Sequence, residues 1–251
     1  MRVAFGYLVL LHLFCLFLVL KTDFLPKVAA KINLEEMVSK ARIAFTMRYF
    51  RWFEGAVPDH ANIFLGDSIT YGLDSKEVTL CDVNYGVEGI NTQDLLDVMP
   101  ALKSLARSNA IFLMIGINDL GQGTSSGLDA RLRSIFYALP SEPVLIWSAI
   151  MPTGTKETGI DLAATIEANR VIKSLCGERT NCRYVDTWLL FADQAGQIQR
   201  DLFRVDGLHL SADGYRVWQS ALKTALNQAQ PAVGQSTTPL RDGHTSRCKI
   251  S

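Results

Sequence analysis

The sequence predicts a three-layer α/β/α sandwich, an open parallel sheet of about five strands with helices on both faces. Three observations predict it. Apolar runs of strand length alternate with stretches of helical periodicity between Asn62 and Asn227. Two of those runs, residues 110–115 and 143–150, are apolar almost throughout, the pattern of strands covered on both faces. Glycine, asparagine and aspartate gather directly after the runs, where the loops of such a sheet carry ligands.

The elements come in order. Asn62, Ile63, Phe64 and Leu65 form a first strand, ended by Gly66. Residues 81–85 read as a second. Residues 91–104 carry Leu95, Leu96, Val98, Met99 and Leu102 at helical spacing. After the strand at 110–115 comes a helix over 128–139, stopped by Pro140. The strand at 143–150 precedes a helix over 160–176, a short strand at 183–186 and a final helix over 211–227. Ser211 is placed to cap that last helix. The chain has no internal repeat. One domain, residues 57–227, accounts for the whole alternating pattern.

Composition excludes several classes. The 251 residues hold 25 Lys and Arg against 25 Asp and Glu, a formal net charge of zero. A nucleic-acid binder usually carries a basic excess, so none is expected as a partner. Five cysteines are too few for a disulfide scaffold. Cys176 and Cys182 pair if the domain is exported and are free buried thiols otherwise. No zinc-spaced Cys/His cluster occurs, and no metal or other cofactor is expected. The glycines at 116, 121, 123 and 127 are not followed by the Gly-Lys-Ser/Thr of a phosphate loop, and read as a substrate loop.

The ends differ from the middle. Residues 3–20 hold no formal charge. At about 1.5 Å per residue they span about 27 Å, the thickness of a bilayer core. Residues 1–22 are therefore expected to be an uncleaved single-pass anchor, with a secretory signal as the alternative. Val28, Ala29 and Ala30 supply a small-residue cleavage site, but Lys21, Asp23 and Lys27 intervene. A short basic start before an apolar run commonly exports the downstream chain, so the domain is expected outside the cytoplasm. The positive charges after the run argue the other orientation.

Residues 23–56 form a juxtamembrane linker with a helix over 39–53. Ile43, Met47 and Phe50 share one face at i, i+4 and i+7, with Arg48 and Arg51 between. That helix either packs on the domain or rests on a membrane surface. Residues 228–251 are rich in Pro, Gln, Ser and Thr and are expected to be disordered. The terminal Cys248, Lys249, Ile250 and Ser251 resemble a prenylation box by chance, since lysine stands where an aliphatic belongs.

The chemistry gathers after the strands. Gly66, Asp67, Ser68, Ile69 and Thr70 follow the first. Gly86, Val87, Glu88 and Gly89 follow the second. Gly116, Ile117, Asn118 and Asp119 follow the third, and Asp206, Gly207, Leu208 and His209 precede the last helix. Of four histidines, His12 and His244 lie in the ends and His60 precedes the first strand, at the opposite end of the sheet. His209 is left as the base, with Asp206 three residues earlier to orient it. Ser68 is the candidate nucleophile, since a serine hydroxyl needs a hydrogen-bonded base. Asp67 is a loop-fixing carboxylate. Met151, Pro152, Thr153 and Gly154 follow a buried strand and either line a pocket or form an ordinary turn.

These four blocks, in this order over about 150 residues, resemble the signature blocks of the SGNH (GDSL-type) hydrolase family. Ile69 stands where the family usually has leucine. The resemblance implies a flavodoxin-like sandwich and a serine esterase. It makes Ser68, Asp206 and His209 the catalytic residues, and Ser68, Gly89 and Asn118 the oxyanion hole. Missing the second glycine of Gly-x-Ser-x-Gly, the first block is not the α/β-hydrolase elbow. The expected substrate is an ester-linked acyl group on a glycan or lipid. An O-acyltransferase with the same site, or a catalytically idle binding module, are the alternatives. Nothing in the sequence fixes the oligomeric state.

Overall fold

The computed structural model describes residues 2–21, 34–123, 125–193 and 196–229. Five strands form one parallel sheet in the order β2-β1-β3-β4-β5. They are β1 (Asn62–Gly66), β2 (Asp82–Gly86), β3 (Ala110–Met114), β4 (Val144–Ser148) and β5 (Cys182–Val185). The order reverses between β1 and β3, and ligands bind such sheets at that switch point, outside the carboxyl ends of the strands.

The helices are α1 (Arg2–Lys21), α2 (Leu34–Phe53), α3 (Ser68–Tyr71), α4 (Thr92–Val98), α5 (Ile117–Gly121), α6 (Leu128–Ala138), α7 (Thr155–Thr158), α8 (Leu162–Cys176), α9 (Thr187–Phe191) and α10 (Ala212–Ala229). The chain divides into two compact units, Met1–Phe45 and Thr46–Ser251.

Alternation along the buried strands sends side chains to both faces. Phe64 and Phe112 are paired across β1 and β3 and stack at 4.2 Å. With Ile146 they meet Trp218 and Leu222 of α10. On the other face Trp147 stacks on Phe136 of α6 at 5.9 Å. Burying each such side chain contributes about 2–3 kcal/mol. That double cover leaves the rim as the part of the sheet free to do chemistry.

The helix expected over 91–104 is shorter. It stops at Val98, and two 3-10 turns, Met99–Ala101 and Lys103–Arg107, come after it. Pro100 supplies no backbone N–H and its ring blocks the preceding turn, so the α-helix cannot run through it. Helices α5, α7 and α9 have four or five residues, too few to print a helical period in the sequence.

Cys176, at the end of α8, and Cys182, at the start of β5, form a disulfide. Of the two states left open by the sequence, the structure has the paired one.

The apolar N-terminal segment is helical as α1, but among the described residues no helix is long and apolar enough to cross a membrane. The expected single-pass anchor thus gains no support from the fold. Residues 22–33, with the cleavage site at Val28–Ala30, and residues 230–251 of the expected tail lie outside the described residues. Helix α10 runs to Ala229, two residues past the expected domain end.

Candidate active site

The nucleophile end is built by β1 and α3. Asp67 caps α3 by accepting the N–H of Ile69 on Oδ1 at 2.9 Å. Ser68 is the first helical residue, so its N–H has no intrahelical partner to find. Gly66 precedes it with φ +158°, and a Cβ there would meet Thr70 Oγ1 and Met114 O. The turn from strand to helix is therefore closed to larger residues. Tyr215 of α10 donates its hydroxyl to Ile69 O at 3.0 Å and ties α3 to the last helix.

The histidine lies across the site on the loop between residues 203 and 211. His209 Nδ1 is 2.8 Å from Asp206 Oδ2, and His209 Nε2 is 3.0 Å from Ser68 Oγ. A carboxylate only accepts, so Nδ1–H donates to Asp206 and the Ser68 hydroxyl donates to Nε2. Asp206 Oδ1 also accepts the backbone N–H of Leu208 and of His209, each at 2.9 Å. Burial pulls the Asp206 carboxyl upward, but the hydrogen bonds from the His209 ring and these two N–H groups outweigh it. The net effect holds Asp206 below its ordinary value, as the charged form that an imidazolium needs beside it. Gly207 turns the loop at φ +64°.

Gly89 and Asn118 complete the rim. Gly89 has φ +76°, a conformation that side chains rarely adopt. Asn118 donates one amide N–H to Ile90 O at 2.8 Å, which holds the Gly89 loop. An amide nitrogen has two hydrogens, so one is left for a ligand. Ser68, Gly89, Asn118, Asp206 and His209 thus stand just after β1, β2 and β3 and before α10, Ser68 and Asn118 at the starts of short helices. His60 lies on the approach to β1, its N–H bonded to Arg107 O at the opposite end of the sheet.

Two supports were not legible as such. Asp119 is buried and accepts from Thr92 N at 3.0 Å, Thr92 Oγ1 at 2.5 Å and Arg131 Nη2 at 3.0 Å. It fixes the position next to Asn118 through partners 12 and 27 residues away, which spacing alone could not reveal. Met151–Gly154 is buried, and Gly154 N donates to Gly207 O at 2.8 Å. That segment braces the loop carrying Asp206 and His209. Asp67, expected as a loop-fixing carboxylate, does cap α3, and it is fully buried with Oδ2 lacking a hydrogen-bond partner. Burial pushes its carboxyl up to about 7, against the Ile69 N–H and the charge of His209. Among the described residues no cluster of three or more His, Cys, Asp and Glu side chains is placed to hold a metal ion.

A buried parallel sheet with a serine, an imidazole and a carboxylate in hydrogen-bond sequence at its carboxyl rim defines a serine hydrolase frame. The model of the GDSL-like lipase/acylhydrolase family matches residues 64–217. The chain belongs to that family, and its enzymatic class is serine ester hydrolase.

Solved structures share the fold. A Streptococcus pneumonia protein, provisionally described as a platelet activating factor, is 25% identical, with TM-score 0.68, covering 79% of this chain and 99% of its own. A lipase/acylhydrolase from Enterococcus faecalis is 18% identical, with TM-score 0.58, covering 67% and 96%. An acetyl xylan esterase from Geobacillus stearothermophilus is 20% identical, with TM-score 0.53, covering 68% and 94%. No curated protein matches the chain.

Proposed function

We propose that the protein hydrolyses ester-linked acyl groups on a glycan or lipid through Ser68, His209 and Asp206. The observation that carries this reading is the continuous chain from Ser68 Oγ to His209 Nε2 and from His209 Nδ1 to Asp206 Oδ2. Ser68 Oγ attacks the ester carbonyl carbon while Nε2 takes its proton. The carbonyl electrons move onto oxygen, where the N–H groups of Ser68 and Gly89 and the free amide hydrogen of Asn118 receive the charge. Collapse breaks the ester C–O bond, and His209 returns its proton to the leaving alcohol. Water then repeats the sequence on the acyl-serine, giving carboxylate and free Ser68.

We further propose that the enzyme works at a membrane outside the cytoplasm. Residues 3–20 supply eighteen positions without formal charge. The described apolar side chains of α1 are exposed, Leu10, Leu13 and Phe14 among them. The Cys176–Cys182 disulfide suits an oxidising compartment.

The test is hydrolysis by the full-length protein in detergent, on nitrophenyl acetate, O-acetylated sugars and lysophospholipids, beside Ser68→Ala. Turnover of one of these that is lost in the variant supports the reading. Turnover retained by Ser68→Ala removes it.

A further inference from the structure

Helix α2 has two unlike faces. Along its inner face Met47 and Phe50 are half-buried, and the Phe50 ring lies 4.6 Å from Tyr85. Glu54, in the 3-10 turn that follows α2, is buried. It accepts from Tyr85 Oη at 2.6 Å and from the Ser104 N–H, while Arg107 Nη2 donates to its carbonyl at 3.1 Å. These contacts clamp the end of α2 to the domain. They satisfy the packing reading of the linker helix.

The outer face is covered by nothing in this chain's described residues, yet it is aromatic. Tyr49, Trp52 and Phe53 lie at i, i+3 and i+4, and Trp52 is 79% exposed. Their rings form one cluster, Tyr49 to Phe53 at 4.4 Å and Trp52 to Phe53 at 5.2 Å. Phe45, one turn earlier, is exposed too. Arg48 and Arg51 flank the cluster and are exposed. Residues 40–53 hold Lys40, Arg42, Arg48 and Arg51 and no carboxylate. Fully burying such a ring is worth about 1.5–3 kcal/mol, and a partner surface would recover most of that at Trp52 and about half at Tyr49 and Phe53.

We propose that this face seats the catalytic domain on an anionic lipid surface. Trp52, Tyr49 and Phe53 enter the headgroup boundary, and Arg48 and Arg51 meet lipid phosphates. Tryptophan and tyrosine favour that boundary because one end of each ring is apolar and the other polar. Arginine lays its methylene stem on apolar surface and keeps its charge at the headgroups. The cationic stretch over residues 40–53 complements an anionic surface. A second copy of the chain fits less well, because a two-fold contact would set Arg48 and Arg51 against their own copies. The short connection to α1 favours the same surface. Thirteen residue steps from Lys21 to Leu34 span at most about 45 Å, so a membrane-bound α1 keeps α2 near the surface at high effective concentration.

This rests on the membrane placement proposed above, and the experiment separates the two. The full-length protein is mixed with phosphatidylcholine vesicles, with and without phosphatidylglycerol. The acyl chains are brominated near the headgroup to quench nearby tryptophan. Wild type is compared with Trp52→Phe and with the Arg48→Glu/Arg51→Glu double variant. Ester hydrolysis in detergent, unchanged in both, reports that the fold is intact. The expected result is quenching of the emission component that Trp52→Phe removes. The double variant should lose at least about 30-fold of the preference for anionic vesicles. Vesicle-bound protein without that quenching overturns the proposal and leaves the placement standing. No binding to either vesicle overturns both. A Trp52 emission already shifted to the blue without lipid, rising with protein concentration, assigns the face to a second copy and also overturns it.

Discussion

The two sides of the active site are held by different means. On the serine side, placement comes from burial. Asp67 and Ile69 are inside the protein, Gly66 excludes a side chain by contact with Thr70 and Met114, and Tyr215 locks the turn from above. On the histidine side, placement comes from short-range hydrogen bonds at the surface. Asp206 and His209 side chains are 48% and 32% exposed, and the loop is fixed by Leu208 N–H, His209 N–H and the Gly154–Gly207 bond. The nucleophile is therefore held by packing, and its base by hydrogen bonds at the surface. A proton shuttle that must serve both attack and departure tolerates this arrangement, provided that Asp206 stays ionised.

The largest expected effect removes the contrast by taking out either partner. His209→Ala should lower kcat/KM on a nitrophenyl ester by at least about 1,000-fold, with a melting temperature close to wild type. A normal melting curve with normal activity would break the assignment. Next, Asn118→Ala should cost about 100–1,000-fold in kcat with a small change in KM, since an oxyanion donor acts mainly in the transition state. A fall seen only in KM would make Asn118 a binding residue instead.

The buried side is sharpened by pH. Asp67 holds its proton up to about 7 when folded, against 3.8 ordinarily. The folded state thus binds a proton more tightly between these values, and stability falls as pH rises through the window. The cost is absent below about pH 4 and complete above about pH 7. Asp67→Asn should remove this slope. The variant's stability relative to wild type should rise by about 2–3 kcal/mol between pH 5 and pH 8, read from urea melts at each pH. Parallel pH profiles would show that Asp67 does not titrate there.

The smallest effect lies away from the rim. Cys176→Ser/Cys182→Ser should cost about 2 kcal/mol in urea unfolding, with kcat unchanged.

Much of this was legible in the sequence because strands buried on both faces write continuous apolar runs. Residues 110–115 and 143–150 announced β3 and β4, and the glycine-led blocks after strands named the rim residues. Ser68 and His209 are 141 residues apart, yet the strand-end rule and the histidine count brought them together. The features that stayed hidden depend on tertiary pairing. Asp119 with Thr92 and Arg131, Tyr215 with Ile69, and Gly154 with Gly207 have no periodicity and no motif. The depth at which Asp67 is buried is likewise a property of the packed sheet, helix α3 and the His209 loop together. For α2 the structure shows the packing contacts, and the membrane contact is the proposal its exposed face carries. Its inner face carries Met47 and Phe50, with Glu54 just beyond its end, and its outer face carries Tyr49 and Trp52.

The proposed mechanism stands on one event, the activation of Ser68 by His209. A fluorophosphonate probe on the full-length protein in detergent, with the labelled peptide located by mass spectrometry, reads that event without needing the natural substrate. One adduct is expected, on Ser68, that disappears in Ser68→Ala and falls at least about 100-fold in rate in His209→Ala. Labelling of Ser68 at an unchanged rate in His209→Ala, or labelling at another residue in the wild type, would contradict the mechanism.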